Sequence, residues 1–328
     1  DSGATVASYL HPARGLEDEE LAIDVAELGP DDATDVVVVV SGTHGVEGYC
    51  GSALQSRWLE CCAADRPHDM AVVLVHALNP YGFSWVRRTN EDNVDLNRNF
   101  VDWDQPLPTN PGYDEIAELL VPSRWTDDER ARTDGLLLEM LADRGLESFQ
   151  QTISGGQYSH PDGVFYGGAG PVWSQTWLRA WCDQRLAGVR RVAIIDLHTG
   201  LGPWGEGELI TSESLDSPAH RRASAWWGDV TSMVGGDSVS ALLSGDWLDA
   251  APGFVPGAEV TSAALEFGTI DPVSVLQALR ADAWLHAHGD PTAAEAAEVR
   301  SQVRQAFADD DPAWLEAVWA RFLQVVEQ

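Results

Sequence analysis

The stretch Val36-Val37-Val38-Val39-Val40-Ser41-Gly42-Thr43-His44-Gly45-Val46-Glu47-Gly48 decides the fold. Five consecutive valines without polar alternation read as a central strand buried on both faces, the habit of parallel sheets covered by helices. Glycines then mark a tight turn, and Leu54, Trp58 and Leu59 sit at helical spacing in a segment from about Val46 to Cys62. Ala71–His76 is the next strand, placed to lie parallel to the first.

Outward from this unit the alternation continues. Leu21–Leu28 alternates apolar and acidic residues like a half-exposed strand, Arg191–Leu197 reads as a second buried strand with Thr199–Gly207 as its Gly-rich exit, and Thr261–Phe267 as the last core strand. Helices are expected near Tyr113–Leu120, from a cap at Thr126 to about Arg144, and over Val172–Ala187, Ser217–Met233, Pro272–His288, Thr292–Ala306 and Pro312–Val326, the last capped by Asp311. Ala77–Pro111 and Gln150–Gly170 read as loops, the first too long to be a mere connection. The fold class is α/β, a three-layer α/β/α arrangement around a mixed, largely parallel sheet, with residues 1–328 forming one domain.

Composition excludes several function classes. All 20 Lys+Arg residues are Arg, so no P-loop, Schiff-base or protein-kinase lysine exists. The 52 Asp+Glu residues give a net charge of −32, a surface that repels phosphate backbones, and no nucleic-acid partner is expected. The longest apolar run, Val36–Val40, falls far short of the ~20 residues of a membrane span, and Asp1 onward shows no basic-then-apolar leader. The expectation is a soluble cytoplasmic chain without a membrane partner; a homo-oligomer stays open. Cys50, Cys61, Cys62 and Cys182 have no CxxC spacing and are expected as buried thiols.

In such folds ligands gather beyond the carboxyl ends of the strands. His44 and Glu47 follow the valine strand, and His198 ends the strand through Ile195. Two imidazoles and one carboxylate are the ligand set of a catalytic zinc that keeps a fourth position for water, so one Zn2+ per chain is expected. The long loop adds Arg87-Arg88-Thr89-Asn90 and Val94-Asp95-Leu96-Asn97-Arg98-Asn99-Phe100, guanidiniums and amides suited to a carboxylate. Asp196, two residues before His198, either orients that histidine or bonds the backbone. Tyr166, on a Gly-rich loop, is placed to donate a hydrogen bond to a leaving group. His76 lacks a nearby carboxylate and reads as structural, while Trp85 and Trp204 are candidates for shaping a pocket.

Taken in order, His44/Glu47, Asp95/Asn97/Arg98/Asn99, His198 and Glu266 resemble the zinc carboxypeptidases and their relatives, the aspartoacylases and succinylglutamate desuccinylases. The resemblance spans roughly Val36–Thr269. Ser-Gly-Thr-His-Gly-Val-Glu-Gly, Asn-Pro-Tyr-Gly-Phe and Asp-Leu-His-Thr-Gly-Leu-Gly look like a bacterial branch catalogued as a domain of unknown function. It implies that His44, Glu47 and His198 bind zinc, that Glu266 is the general base, and that Arg88, with Arg87 as fallback, holds the oxyanion. It further implies that Asn97 and Arg98 grip a substrate carboxylate and that Asp95 orients a zinc-bound histidine. Without the resemblance, Glu266 is an acidic residue in an apolar strand.

The expected function is therefore zinc-dependent hydrolysis of an amide bond next to a free carboxylate, most like a metallocarboxypeptidase acting on small peptides. The alternative is a deacylase of N-acyl amino acids. Asn79-Pro80 is similar to the deacylase branch, while Asp95–Phe100 resembles the peptidase branch as much. A non-catalytic carboxylate-binding module is a third reading, and a serine hydrolase lacks its GxSxG elbow.

Overall fold

The computed structural model describes residues 3–328. Strands β1 (Thr5–Arg14), β2 (Glu20–Leu28), β3 (Asp35–Ser41), β4 (Ala71–His76), β5 (Arg191–Trp204), β6 (Gly207–Thr211), β7 (Val230–Ser232) and β8 (Glu259–Gly268) form one eight-stranded sheet, ordered β1-β2-β4-β3-β5-β8-β6-β7. Its centre, β4-β3-β5-β8, is parallel. β1 and β2 on one side and β6 on the other run antiparallel to their inner neighbours, and β7 lies parallel to β6. The sheet is thus mixed, with its parallel pairing concentrated where the valine run lies.

The period-2 geometry of a strand sends Val38 and Val40 to one face and Val39 to the other, and helices cover both. On the Val39 face, Leu54 and Trp58 of α1 (Gly48–Cys61) pack with residues of the later helices α8 (Pro218–Trp227) and α12 (Pro312–Val326). The Val38 face meets Leu178 and Trp181 of α7 (Trp173–Arg185) and Trp247 of α9 (Trp247–Ala250). Burying one such valine contributes about 1.5–3 kcal/mol, which is why the run admits no polar residue.

Between α1 and α7 in the chain come α2 (Pro80–Trp85), α3 (Pro111–Asp114), α4 (Ala117–Leu120), α5 (Asp127–Arg144) and α6 (Leu146–Ser154), followed late in the chain by α10 (Pro272–His288) and α11 (Ala296–Phe307). Several of them share a third apolar cluster at the carboxyl end of the sheet, with Tyr113, Leu137, Phe149, Leu279 and Phe307. Thr126 and Asp311 cap α5 and α12 as their sequence predicts, accepting from the Glu129 and Ala313 N–H groups.

The differences from expectation fall at the periphery. β1 exposes nearly every residue and so carries no burial signal. β5 runs on to Trp204 through the stretch read as its Gly-rich exit, and the helix read to Met233 stops at Trp227, where Gly228 (φ +83°) lets the chain turn into β7. α2 and α6 occupy parts of the two segments read as loops, and α11 begins at Ala296. Cys50 and Cys182 are buried, but Cys61 and Cys62 sit at the exposed end of α1 and are not. Among the described residues no helix is long and apolar enough to cross a membrane.

His76 ends β4, its Nδ1 2.7 Å from Ser41 Oγ and its ring edge-on to Phe83. Burial pulls its pKa down to about 4, against a small opposing pull from Asp24. The folded state therefore keeps the neutral ring, and its contribution, intact above the unfolded pKa near 6.5, is lost as pH falls from there towards 4. Urea unfolding across that window is expected to show up to about 3 kcal/mol of stability loss in the native chain, and a correspondingly shallower slope in His76→Gln. Equal slopes would contradict this account.

Candidate metal centre

The turn after β3 is shaped by close approach. Gly42 has φ +68°, and a Cβ on Gly45 would lie 2.0 Å from the Gly82 carbonyl carbon, so α2 can press against the turn only with glycine there. Two main-chain bonds, Gly45 N–H to Arg88 O (3.2 Å) and Val46 N–H to Arg87 O (2.8 Å), tie the turn to the arginine segment. Glu47 thereby sits beside Arg88 despite 41 residues of separation. Parallel pairing brings Ser41 opposite Leu197 and so sets His198 next to the same turn.

The three side chains converge. His44, Glu47 and His198 each offer a ligand atom, all within 4.8 Å of one another, and all three residues are buried. Nδ1 of His44 and Nδ1 of His198 are 3.2 Å apart, and each lies 2.9 Å from one oxygen of Glu47. Their other nitrogens are held from behind: His44 Nε2 lies 3.1 Å from Asp95, His198 Nε2 2.7 Å from Asp196. A carboxylate behind an imidazole accepts a hydrogen bond from its Nε2–H, which fixes the tautomer and leaves the Nδ1 lone pair facing the centre. Two lone pairs and a carboxylate facing each other in a buried space need a positive charge between them.

The electrostatics agree. Burial opposes ionisation of Glu47, yet His44, His198 and Arg88 outweigh it and hold its pKa far below the carboxylate range. Burial likewise opposes a charge on His198, but Asp196 and Glu47 keep its pKa well above the ordinary imidazole value. The centre favours a cation, and its N2O donor set is the one borderline-soft Zn2+ takes in catalytic sites. The residues fit the metal.

Around the centre stand the other predicted residues. Glu266 on β8 is paired in register with His198 on β5, is 8% exposed, and accepts from the Leu201 N–H at 3.0 Å. Burial first, then the negative charge of Glu47, pushes its carboxyl up to about 7. Arg88 bridges two carboxylates, donating from Nη1 to Glu47 (2.8 Å) and from Nε to Asp95 (3.0 Å), while its Nη2 makes no hydrogen bond among the described residues. Asp95 is wholly buried; burial alone would raise its pKa, but Arg88, Arg98 and His44 hold it well below normal. Asn97 keeps a buried side-chain Oδ1 with no partner among the described residues.

Three predicted residues are placed otherwise than expected. Arg87 is turned away: it is 1% exposed, pairs through Nε with Asp282 at 3.0 Å, and gives its remaining bonds to Asn93 and the Asn90 carbonyl. Arg98 is beside Asp95 (3.9 Å), but its guanidinium is buried and donates to the carbonyls of Ser154 and Asn97, a use no sequence spacing reveals. Tyr166 packs in the core cluster, and its tie to the centre is its carbonyl, which accepts from the Asp95 N–H at 2.8 Å.

Sequence reasoning missed Thr43, Trp247 and Phe165. Thr43 and Trp247 donate to Asp196, and the Phe165 ring lies under both Arg88 and Arg98 at 5.3 and 5.4 Å. Adjacency to His44 was a usable signal for Thr43; Trp247 and Phe165 carry none, being brought in by chain folding alone.

Solved structures that align with the chain include carboxypeptidase A from Helicoverpa armigera, at 14% identity over 93% of this chain and 69% of that one, with a TM-score of 0.49. A succinylglutamate desuccinylase from Chromobacterium violaceum aligns at 14% identity over 100% and 72% of the two chains, TM-score 0.45. An aspartoacylase family protein from Mesorhizobium loti aligns at 15% identity over 88% and 67%, TM-score 0.43. No curated protein matches the sequence. Residues 1–321 match the family model described as "Protein of unknown function (DUF2817)", and the chain belongs to that family.

Proposed function

We propose that the chain is a zinc-dependent hydrolase that cleaves an amide bond next to a free carboxylate, in the manner of a carboxypeptidase acting on small peptides. The observation that carries this reading is the convergence of His44, Glu47 and His198, both imidazoles backed by carboxylates, beside a buried glutamate whose carboxyl sits near 7. His44, Glu47 and His198 would hold the zinc, which would supply a Lewis acid and a water of pKa lowered towards ~7.

The chain's own residues do the rest. Glu266 takes a proton from the attacking water and returns it to the leaving nitrogen, a shuttle for which a pKa near the working pH is suited. Arg88 turns its uncommitted Nη2 towards the developing oxyanion, while its bonds to Glu47 and Asp95 fix its position in advance. Asn97 offers the N–H donors of its side-chain amide to the substrate carboxylate; Arg98, donating to the Asn97 carbonyl, stands behind it as a positioning residue.

Hydrolysis of N-acyl amino acids is the second reading. An N-acyl amino acid presents the same carboxylate beside its scissile amide as a peptide's C-terminal residue, so the enclosure of Arg98 bears on both readings alike. Elemental analysis of the purified protein is expected to find about one zinc per chain, absent from His44→Ala and His198→Ala. Peptides and N-acyl amino acids assayed in parallel then separate the two readings. A native chain that takes up no zinc on incubation would overturn both.

A further inference from the structure

The two histidines of the centre are backed by carboxylates in different company. Asp95, behind His44, is itself compensated by cations: Arg88 Nε at 3.0 Å and Arg98 Nη1 at 3.9 Å. Asp196, behind His198, is 0% exposed, and its hydrogen-bond donors other than His198 are neutral. Thr43 Oγ1 donates to Asp196 Oδ1 (2.8 Å) and lies 3.0 Å from Oδ2, while Trp247 Nε1 donates to Oδ2 at 2.6 Å. That same Oδ2 is the oxygen 2.7 Å from His198 Nε2.

We infer that Trp247 is a positioning residue for the metal centre: with Thr43 it fixes the Asp196 carboxylate so that His198 presents Nδ1, not Nε2, to the ion. A carboxylate free to rotate about its own bond would swing the imidazole with it. Two donors from different elements, the turn after β3 and the first residue of α9, remove that freedom. α9 in turn is anchored by Asp246, which caps it through the Leu248 N–H (3.3 Å) and accepts from Ser212 at the end of β6. Trp247 is 1% exposed and packed in the core, so its N–H approaches Asp196 from a rigid wall.

The neutral character of this clamp matters as much as its rigidity. Arg88 and Arg98 draw charge from Asp95 and weaken its pull on the His44 proton. Thr43 and Trp247 leave the charge of Asp196 uncancelled, which makes His198 the more strongly donating of the two nitrogen ligands. The zinc affinity of the site therefore depends on an indole N–H that does not touch the metal.

This inference rests on the zinc reading above and is tested by zinc affinity, measured by competition with a chromogenic chelator, independently of any activity. Trp247→Phe keeps the ring volume and deletes the donor; Thr43→Val does the same for the hydroxyl, and Thr43→Ser restores it. The expected result is a rise in zinc Kd of roughly 10-fold or more in Trp247→Phe and in Thr43→Val, with Thr43→Ser close to native. Should Trp247→Phe fail to fold, the Thr43 pair decides alone. Native-like Kd in the donor-deleting variants would overturn the inference and leave the zinc reading standing, whereas a native chain that binds no zinc would overturn both.

Discussion

Glu266→Gln is expected to lower kcat by roughly 10²- to 10⁴-fold while zinc content stays at its native level. The substitution keeps the side chain's shape and its capacity to accept from the Leu201 N–H, and removes only the ability to take and return a proton. Because Glu266 is not one of the three converging ligands, metal uptake is a separate readout. The pH dependence follows from the same carboxyl. Burial and Glu47 push it up to about 7, so it is protonated and idle as a base below that value and becomes competent above it. A cation bound between His44, Glu47 and His198 favours the ionised form and draws that value down. The acid limb of the native rate profile is therefore expected at or below pH 7 in the metal-loaded protein, and absent from Glu266→Gln. A variant with native kcat would assign the proton transfer elsewhere.

The second large effect separates two neighbouring arginines. Arg87→Met is expected to cost about 3–5 kcal/mol of stability, since it strands the buried carboxylate of Asp282, and to leave zinc content and kcat near native. Arg88→Met is expected to lower kcat by roughly 10²- to 10³-fold, by removing a guanidinium that, among the described residues, keeps an uncommitted nitrogen beside the centre. Denaturant melts and turnover on the two proteins decide the matter. Were Arg87→Met the inactive one, the orientation of this segment would have to be reversed.

That contrast also marks how far the sequence carries. His44, Glu47 and His198 were legible because their position follows from elements that announce themselves: an uninterrupted valine strand, a glycine turn and a second buried strand. Asp196 was legible as one of two options because alternation along β5 puts it on the same face as His198. Arg87 against Arg88 was not, because adjacent residues in an irregular segment have no periodicity to say which one faces the site. The placement of Arg98 differs from expectation for a related reason. A guanidinium with five donors is claimed by whatever carbonyls the fold brings near, and Ser154 comes from a helix within a segment with no strand signal. At the periphery, β1, β6 and β7 escaped notice because short or exposed strands lack the burial that writes a pattern into sequence.

The parallel register that pairs Ser41 with Leu197 also brings together His44 and His198, 154 positions apart in the chain. Parallel pairing over such a separation closes a large loop before any contact rewards it, so it belongs to the slow, late events of folding. Collapsed chains with β3 and β4 docked but β5 still searching would hold His44 and Glu47 without their third partner. On the zinc reading, metal capture would then fall at the end of folding, and tight uptake would report that the longest-range part of the chain has closed.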